Sequence, residues 1–125
     1  MKEKLDKAYQ WGTSRVNGHR HAGTDVSVLL DDNGNRYIQV DQDYYISSLE
    51  DVHIEPSRFR DPSLALNAEE VSACRAAIGA LQWTALQTQP LICARCNLLI
   101  TDLAKSPAMR VALEIQEIIC EVRKE

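Results

Sequence analysis

Three amphipathic helical segments follow one another in the second half of the chain, and they restrict the fold more than any other feature. In the first segment, which begins at Asn67 and stops at the Thr88-Gln89-Pro90 motif, apolar residues recur at intervals of three and four, the spacing of one helix face. The second begins near Pro90 and the third at Ser106-Pro107, where proline suits a first helical turn. Short links between such helices predict an antiparallel three-helix bundle over residues 67–125. The apolar positions are Val71, Cys74, Ile78, Leu81 and Ala85; Ile92, Cys96, Leu99 and Leu103; and Val111, Ile115, Ile118 and Val122.

The first of these helices carries small residues in its interior. A glycine there costs about 1 kcal/mol relative to alanine, so we expect Gly79 to face a neighbouring helix, or an element outside this chain, that approaches closely. Trp83 and Pro90, near and beyond the end of the helix, are further positions expected to support packing. Asn67 with Glu70 three residues later predicts a capping box at its start. The small residues are Ala76, Ala77, Gly79 and Ala80.

The first half of the chain contains strand signals on both sides of a turn. Residues 19–30 alternate apolar and polar side chains from Thr24 onward, which predicts a strand. The Asn33-Gly34 pair predicts a hairpin turn, because both residues tolerate positive φ. The return strand carries Tyr37, Ile38 and Val40, and the helix that follows, capped by Asp41, carries Tyr45, Ile46 and Leu49.

These segments together predict an α+β fold: an N-terminal helix over residues 2–10, a β-hairpin, a short helix, then the three-helix antiparallel bundle. We expect one partial domain over residues 1–125. Its parts are residues 1–50, a connecting loop over 51–66 that contains two prolines, and the bundle over 67–125.

Charge is unevenly distributed along the chain. The net charge is −4, with +3 in residues 1–24, −7 in residues 25–56 and zero in residues 57–125. Affinity for nucleic acid depends on basic side chains that release counterions, so this chain alone should bind it poorly. The sequence has neither an apolar run of transmembrane length nor the apolar core of a signal peptide. We therefore expect an intracellular chain, with no membrane partner and with reduced cysteines.

Two groups of residues resemble metal ligands. Cys93-Ala-Arg-Cys96 is typical of half a zinc site or of a redox pair, but no second pair supplies the remaining zinc ligands. Both cysteines also fit an apolar helical pattern, where a free thiol packs as a small hydrophobe. His19 and His21 lie on one face of a strand without an identifiable third ligand. We expect no metal site and no cofactor.

The acidic residues Asp25, Asp31 and Asp32 do not form the aspartate pair of a polymerase. Such a pair lies between apolar strands, whereas Asp31-Asp32 leads directly into the Asn33-Gly34 turn, where aspartate is favoured for conformational reasons. A Gly-rich phosphate loop, a nucleophile elbow and a His-Glu-x-x-His motif are also missing from the sequence. We predict no catalytic residue and a non-catalytic module.

Four segments occur in a characteristic order: His21-Ala22-Gly23-Thr24-Asp25-Val26, residues 34–45 ending in Gln42-x-x-Tyr45, residues 74–83, and Thr88-Gln89-Pro90-Leu91. This order resembles the reverse transcriptase of copia-type retrotransposons, in the part that follows the catalytic palm motif, and it covers roughly residues 5–123. The chain departs from the family's pattern in two places. His21-Ala22 replaces an aromatic-Leu pair, and Gln89 and Leu91 replace an Arg and an Asp around Pro90.

The resemblance implies a role for several residues. The strand with Gly23 is similar to a primer grip, so Gly23 and Thr24 would make backbone contact with the primer strand, with His21 beside them. Arg75 would contact a phosphate or support the structure. Gln42 and Tyr45 would support the hairpin.

The resemblance implies a fragment of an RNA-directed DNA polymerase that once positioned the primer–template duplex. The palm aspartates that hold the two Mg²⁺ ions of nucleotide transfer are not part of the chain, so it should be inactive alone. Its partner would be an RNA–DNA duplex, bound weakly without the rest of a polymerase. The palm and fingers, or a second copy of the chain, are further partners compatible with this origin. The alternative is a small α-helical protein-interaction module without a nucleic-acid role.

Overall fold

Strands and helices occupy separate parts of the chain. The computed structural model describes residues 18–124, and the helix predicted for residues 2–10 lies outside them. The strands are β1 (Gly18–His21), β2 (Thr24–Leu30) and β3 (Arg36–Asp41). The helices are α1 (Asp43–Ser47), α2 (Ala68–Gln87), α3 (Cys93–Lys105) and α4 (Met109–Lys124), with 3-10 turns at Pro56–Arg60 and Pro90–Ile92. The mixed α+β class predicted from the sequence is confirmed.

The chain divides into two compact units, Met1–Val40 and Asp41–Glu125. Among residues 18–124, the first unit contains the strands, except for Asp41 at the end of β3, and the second contains the helices. The boundary falls near the end of β3. Helix α1 and the segment after it therefore belong with the long helices.

The strands form an antiparallel sheet in the order β1-β2-β3. His21 at the end of β1 lies opposite Thr24 at the start of β2. Ala22 and Gly23 between them have φ values of 50° and 81°, as in a two-residue type I′ hairpin turn. The prediction of one unbroken strand over residues 19–30 is therefore wrong, because two consecutive positive φ angles reverse the chain.

The second turn, between β2 and β3, is the one predicted at Asn33-Gly34. The Gly34 N–H donates to the Asp31 carbonyl at 3.0 Å, and the Asp31 N–H donates to the Asn35 carbonyl at 2.9 Å. Gly34 has a φ of 81°, the left-handed conformation that closes a three-residue hairpin loop. The Asp31 carboxylate accepts from the Asn35 and Asn33 N–H groups at 2.8 and 2.9 Å. Asp31 therefore has a role within the turn, as its position in the sequence suggested.

The core of the helical unit is built from the predicted apolar stripes. Every predicted stripe position is buried except Val71, which is half-buried and packs against the core. Helices α2, α3 and α4 contact one another in all three pairs. The antiparallel arrangement of a three-helix bundle remains a prediction.

The predicted capping box at the start of α2 is present. The Asn67 side chain accepts from the Glu70 N–H at 2.8 Å, and the Glu70 carboxylate accepts from the Asn67 N–H at 2.9 Å. The buried Glu70 carboxylate also forms a two-point ion pair with Arg58, whose Nη2 lies 3.0 Å from Oε2. Arg58 further donates to the carbonyl of Ala65 at 3.1 Å. Residues 51–66, predicted as a connecting loop, thus contain a 3-10 turn that is fixed to α2.

Helix α4 begins at Met109, three residues after the predicted start at Ser106. The Leu66 N–H donates to the Pro107 carbonyl at 3.0 Å, and the Met109 N–H donates to the Leu64 carbonyl at 2.8 Å. These bonds hold residues 107–108 extended against the segment before α2. The helix can start only after that short pairing ends.

Gly79 does not face a neighbouring helix of this chain, contrary to one of the two expectations from the sequence. It lies on the exposed side of α2, and a Cβ atom added there would meet no atom within 4 Å. The adjacent residue Ile78 points into the core instead. Contacts within residues 18–124 therefore do not explain why residue 79 is a glycine.

We expect Gly79→Ala to raise the free energy of unfolding by about 1 kcal/mol, because alanine restricts the unfolded backbone and favours the helix. Urea unfolding followed by circular dichroism measures the change. Ala76→Gly, an exposed position one turn earlier on α2, is the matched control and should lose a similar amount. A destabilised Gly79→Ala variant would show that another backbone does approach this site.

Candidate functional site

The β1–β2 turn brings together three of the residues that the sequence assigns to nucleic-acid contact. His21 and Thr24 form the closing pair of the turn, with Gly23 between them. His21 is exposed and Thr24 is buried. Within residues 18–124, the buried Thr24 hydroxyl oxygen has no hydrogen-bond partner. The turn therefore presents the His21 side chain and the backbone around Gly23.

An ion pair flanks this turn. Arg20 Nε lies 2.6 Å from Asp25 Oδ1, and Arg20 Nη2 lies 3.0 Å from Asp25 Oδ2. The hydrogen bond from Arg20 holds the pKa of the Asp25 carboxyl below its usual value. A phosphate approaching Arg20 would have to compete with Asp25. The local positive charge is consequently small, although basic residues are concentrated in this part of the sequence.

Two motifs that lie far apart in the sequence meet in the helical unit. Gln42 precedes α1 and is almost fully buried, and Thr88 lies at the end of α2. The Thr88 hydroxyl donates to the Gln42 side-chain oxygen at 2.8 Å. The Gln42 side-chain nitrogen has no partner in the described part of the chain. The Gln42-x-x-Tyr45 and Thr88-Gln89-Pro90 motifs are thus in direct contact across 46 residues.

The other predicted residues lie on or beside α1 and α2. Tyr45 is half-buried and packs against the core, and Trp83 is half-buried on α2. Pro90 begins the 3-10 turn that leads into α3. Arg75 is exposed and borders a surface groove of about 340 Å³, together with Gly79. The predicted nucleic-acid residues are therefore divided between the two units, with Arg75 in the helical one.

The cysteines provide free thiols in different surroundings. Cys74 and Cys96 are buried, Cys93 is half-buried and Cys120 is exposed. Burial raises the pKa of the Cys74 thiol to about 11 and also raises that of Cys96. Raised pKa values disfavour the thiolate that binds metal or attacks disulfides. Over residues 18–124, there is no group of three or more His, Cys, Asp or Glu side chains placed to hold a metal ion.

A second groove, which the sequence analysis missed, lies along α2. It has a volume of about 300 Å³, and we name it the alanine groove. One side consists of alanines of α2 spaced as i, i+3, i+4 and i+7. This spacing is the feature of the sequence that could have indicated the groove. The residues that define it are Ala73, Ala76, Ala77, Ala80, Tyr45, Leu49, Glu50 and Asp51.

The loop that forms the other side of the alanine groove is attached to α4. The Val52 N–H donates to the Gln116 side-chain oxygen at 2.9 Å. The Asp51 carboxylate accepts from Gln116 at 2.8 Å and from Arg123 at 2.6 Å, and these bonds keep its pKa below the usual value. Arg123 also donates to the carbonyl of Leu49. The groove is therefore held open by bonds between distant segments.

Comparison with protein-family models, with curated proteins and with solved structures finds no match. Across residues 18–124, none of the helices is both long enough and apolar enough to cross a membrane.

Proposed function

We propose that the chain is the part of a copia-type reverse transcriptase that follows the palm, non-catalytic by itself and derived from an element that positions the primer–template duplex. The observation that carries the proposal is the hydrogen bond between Thr88 and Gln42. The resemblance rests on the order of short motifs, each of which is weak alone. Direct contact between two of them gives a structural reason for their joint occurrence.

The tight turn at Ala22-Gly23 supports the same proposal. Positive φ angles at both residues put the backbone at the tip of a hairpin, without large side chains in front of it. A primer grip needs such a tip, because close approach of backbone to a ligand favours small residues. His21 would lie beside the primer strand, and Gly23 and Thr24 would contact it through their backbone.

Charge explains why binding should be weak outside a complete polymerase. The chain has a net charge of −4, and Arg20 is paired with Asp25. A duplex would be held mainly by the palm and fingers, with this chain adding local contacts. We further propose that the chain acts inside the cell, where its free thiols stay reduced.

The alternative is a helical protein-interaction module without a nucleic-acid role. The excess of acidic residues over residues 25–56 favours it, since such a segment repels phosphate. The coding sequence upstream of Met1 separates the two origins. A Tyr-x-Asp-Asp segment in the same reading frame supports the polymerase, and its absence supports the module.

We expect the chain to bind an RNA–DNA hybrid detectably at low salt and hardly at all at physiological salt. Each phosphate contact steepens the salt dependence of binding, and the basic residues of segment 1–24 should supply most contacts. Fluorescence anisotropy with a labelled hybrid, measured over a salt series, gives the affinity and the slope. Replacing the five basic residues by glutamine should abolish the binding. They are Lys2, Lys4, Lys7, Arg15 and Arg20.

The control variant replaces the exposed cations Arg60, Lys105 and Lys124 by glutamine and should change the affinity little. A chain that binds no hybrid at any salt would favour the interaction module. Tight, salt-insensitive and base-specific binding would contradict both candidates. Incorporation of nucleotides by the purified chain with Mg²⁺ would contradict the non-catalytic assignment.

A further inference from the structure

The alanine groove has no part in the proposed polymerase function, and its shape suits a specific class of partner. Ala73 and Ala80 are seven residues apart on α2, which corresponds to about 10 Å, or two helical turns. Alanine side chains leave space above the helix for larger apolar side chains. An amphipathic helix occupies such a groove with apolar side chains spaced as i, i+3, i+4 and i+7.

The rim of the groove carries two acidic residues. Of the residues that line the groove, Glu50 and Asp51 are acidic and none is Lys or Arg. Asp51 is ion-paired with Arg123 at 2.6 Å. Glu50 is 80% exposed, with His53 3.2 Å away as its contact. The carboxylate of Glu50 is therefore available at the rim to meet a cation of the partner.

We propose that the alanine groove binds a basic amphipathic α-helix of a partner protein. Apolar side chains of that helix lie over Ala73, Ala76 and Ala77, and a Lys or Arg on its polar side lies beside Glu50. The apolar floor supplies the binding free energy, and the acidic rim selects a basic helix over an acidic one. This function does not depend on the resemblance to a polymerase.

The test uses the full chain and a synthetic peptide of leucine and lysine arranged as an amphipathic helix, with a peptide of the same composition in scrambled order as control. Isothermal titration should show binding of the amphipathic peptide and much weaker binding of the scrambled one. Ala76→Lys should weaken the affinity at least about tenfold, because it obstructs and repels the peptide. Gln87→Lys, the same charge change at an exposed position at the end of α2, should leave the affinity unchanged.

A second pair of variants tests the rim without adding bulk. Glu50→Gln should weaken peptide binding about threefold, whereas Glu69→Gln, an exposed acid in the first turn of α2, should not. Equal binding of both peptides, or unchanged binding by the Ala76→Lys and Glu50→Gln variants, would overturn the proposal. So would a dimer in sedimentation experiments that Ala76→Lys dissociates, since the occupant would then be a second copy of the chain.

Discussion

Replacing Glu70 by alanine is expected to lower the free energy of unfolding by about 3 kcal/mol, through loss of the helix cap and of the ion pair. The buried Glu70 carboxylate accepts hydrogen bonds from Arg58 and from the Asn67 N–H. Its removal frees the 3-10 turn from the start of α2. Guanidinium unfolding followed by circular dichroism measures the loss. A change below about 0.5 kcal/mol, the range of ordinary surface substitutions, would contradict the role assigned to Glu70.

Glu70→Gln separates the two contributions, because glutamine can still complete a capping box but carries no charge. Glu70→Gln should lower the free energy of unfolding by less than Glu70→Ala does, and it should also change the pH dependence of that free energy. The hydrogen bond from Arg58 lowers the pKa of Glu70 from its ordinary 4.5. As the pH falls below that value, the unfolded chain takes up the proton before the folded chain does. The stability due to the charge is thus present above about pH 4.5 and lost below it. The Glu70→Gln variant should therefore lose less stability than the wild-type chain as the pH falls through this range.

Thr88→Val is expected to lower the free energy of unfolding by about 2 kcal/mol, because it leaves a buried amide without its hydrogen bond. The Thr88 hydroxyl is the donor to the Gln42 side-chain oxygen. Valine keeps the shape of threonine and removes only that donor. Urea unfolding measures the loss. Thr101→Val, at an exposed threonine of α3, is the control and should change stability by less than about 0.5 kcal/mol.

The double variant with Gln42→Leu tests whether the bond itself is responsible. Replacing both partners by apolar groups of similar shape is often nearly neutral. The double variant should therefore recover much of the stability lost by Thr88→Val. If the two losses simply add, the contact between the motifs would be incidental to folding.

The long helices could be predicted because their signals are local. Apolar spacing, the Asn67–Glu70 cap and the proline at position 90 all act within a few residues of the position they determine. The Asn33-Gly34 turn was predictable for the same reason. The β1–β2 turn was not, because Ala22 is an unusual residue for a positive φ angle.

Contacts between distant segments could not be predicted from the sequence. Nothing near Arg58 indicates that it pairs with Glu70, and nothing near Gln42 indicates Thr88. The alanine groove likewise depends on a loop brought to α2 by bonds to α4. Gly79 was misjudged for a different reason. A glycine inside a helix signals close packing only when it faces a neighbour, and the spacing of the surrounding apolar residues, which points Ile78 inward, leaves Gly79 outside.

The attachment of the 49–52 loop to α4 has a consequence for synthesis. Asp51 and Arg123, which form one of these bonds, are 72 residues apart. A ribosome adding about 5–20 residues per second needs several seconds to make the second after the first. During that interval, in which α2 is itself translated, the loop lacks the partner that holds it. The alanine groove is thus completed only after Arg123 has been made, so a partner helix that needs both sides of the groove can bind only after that step.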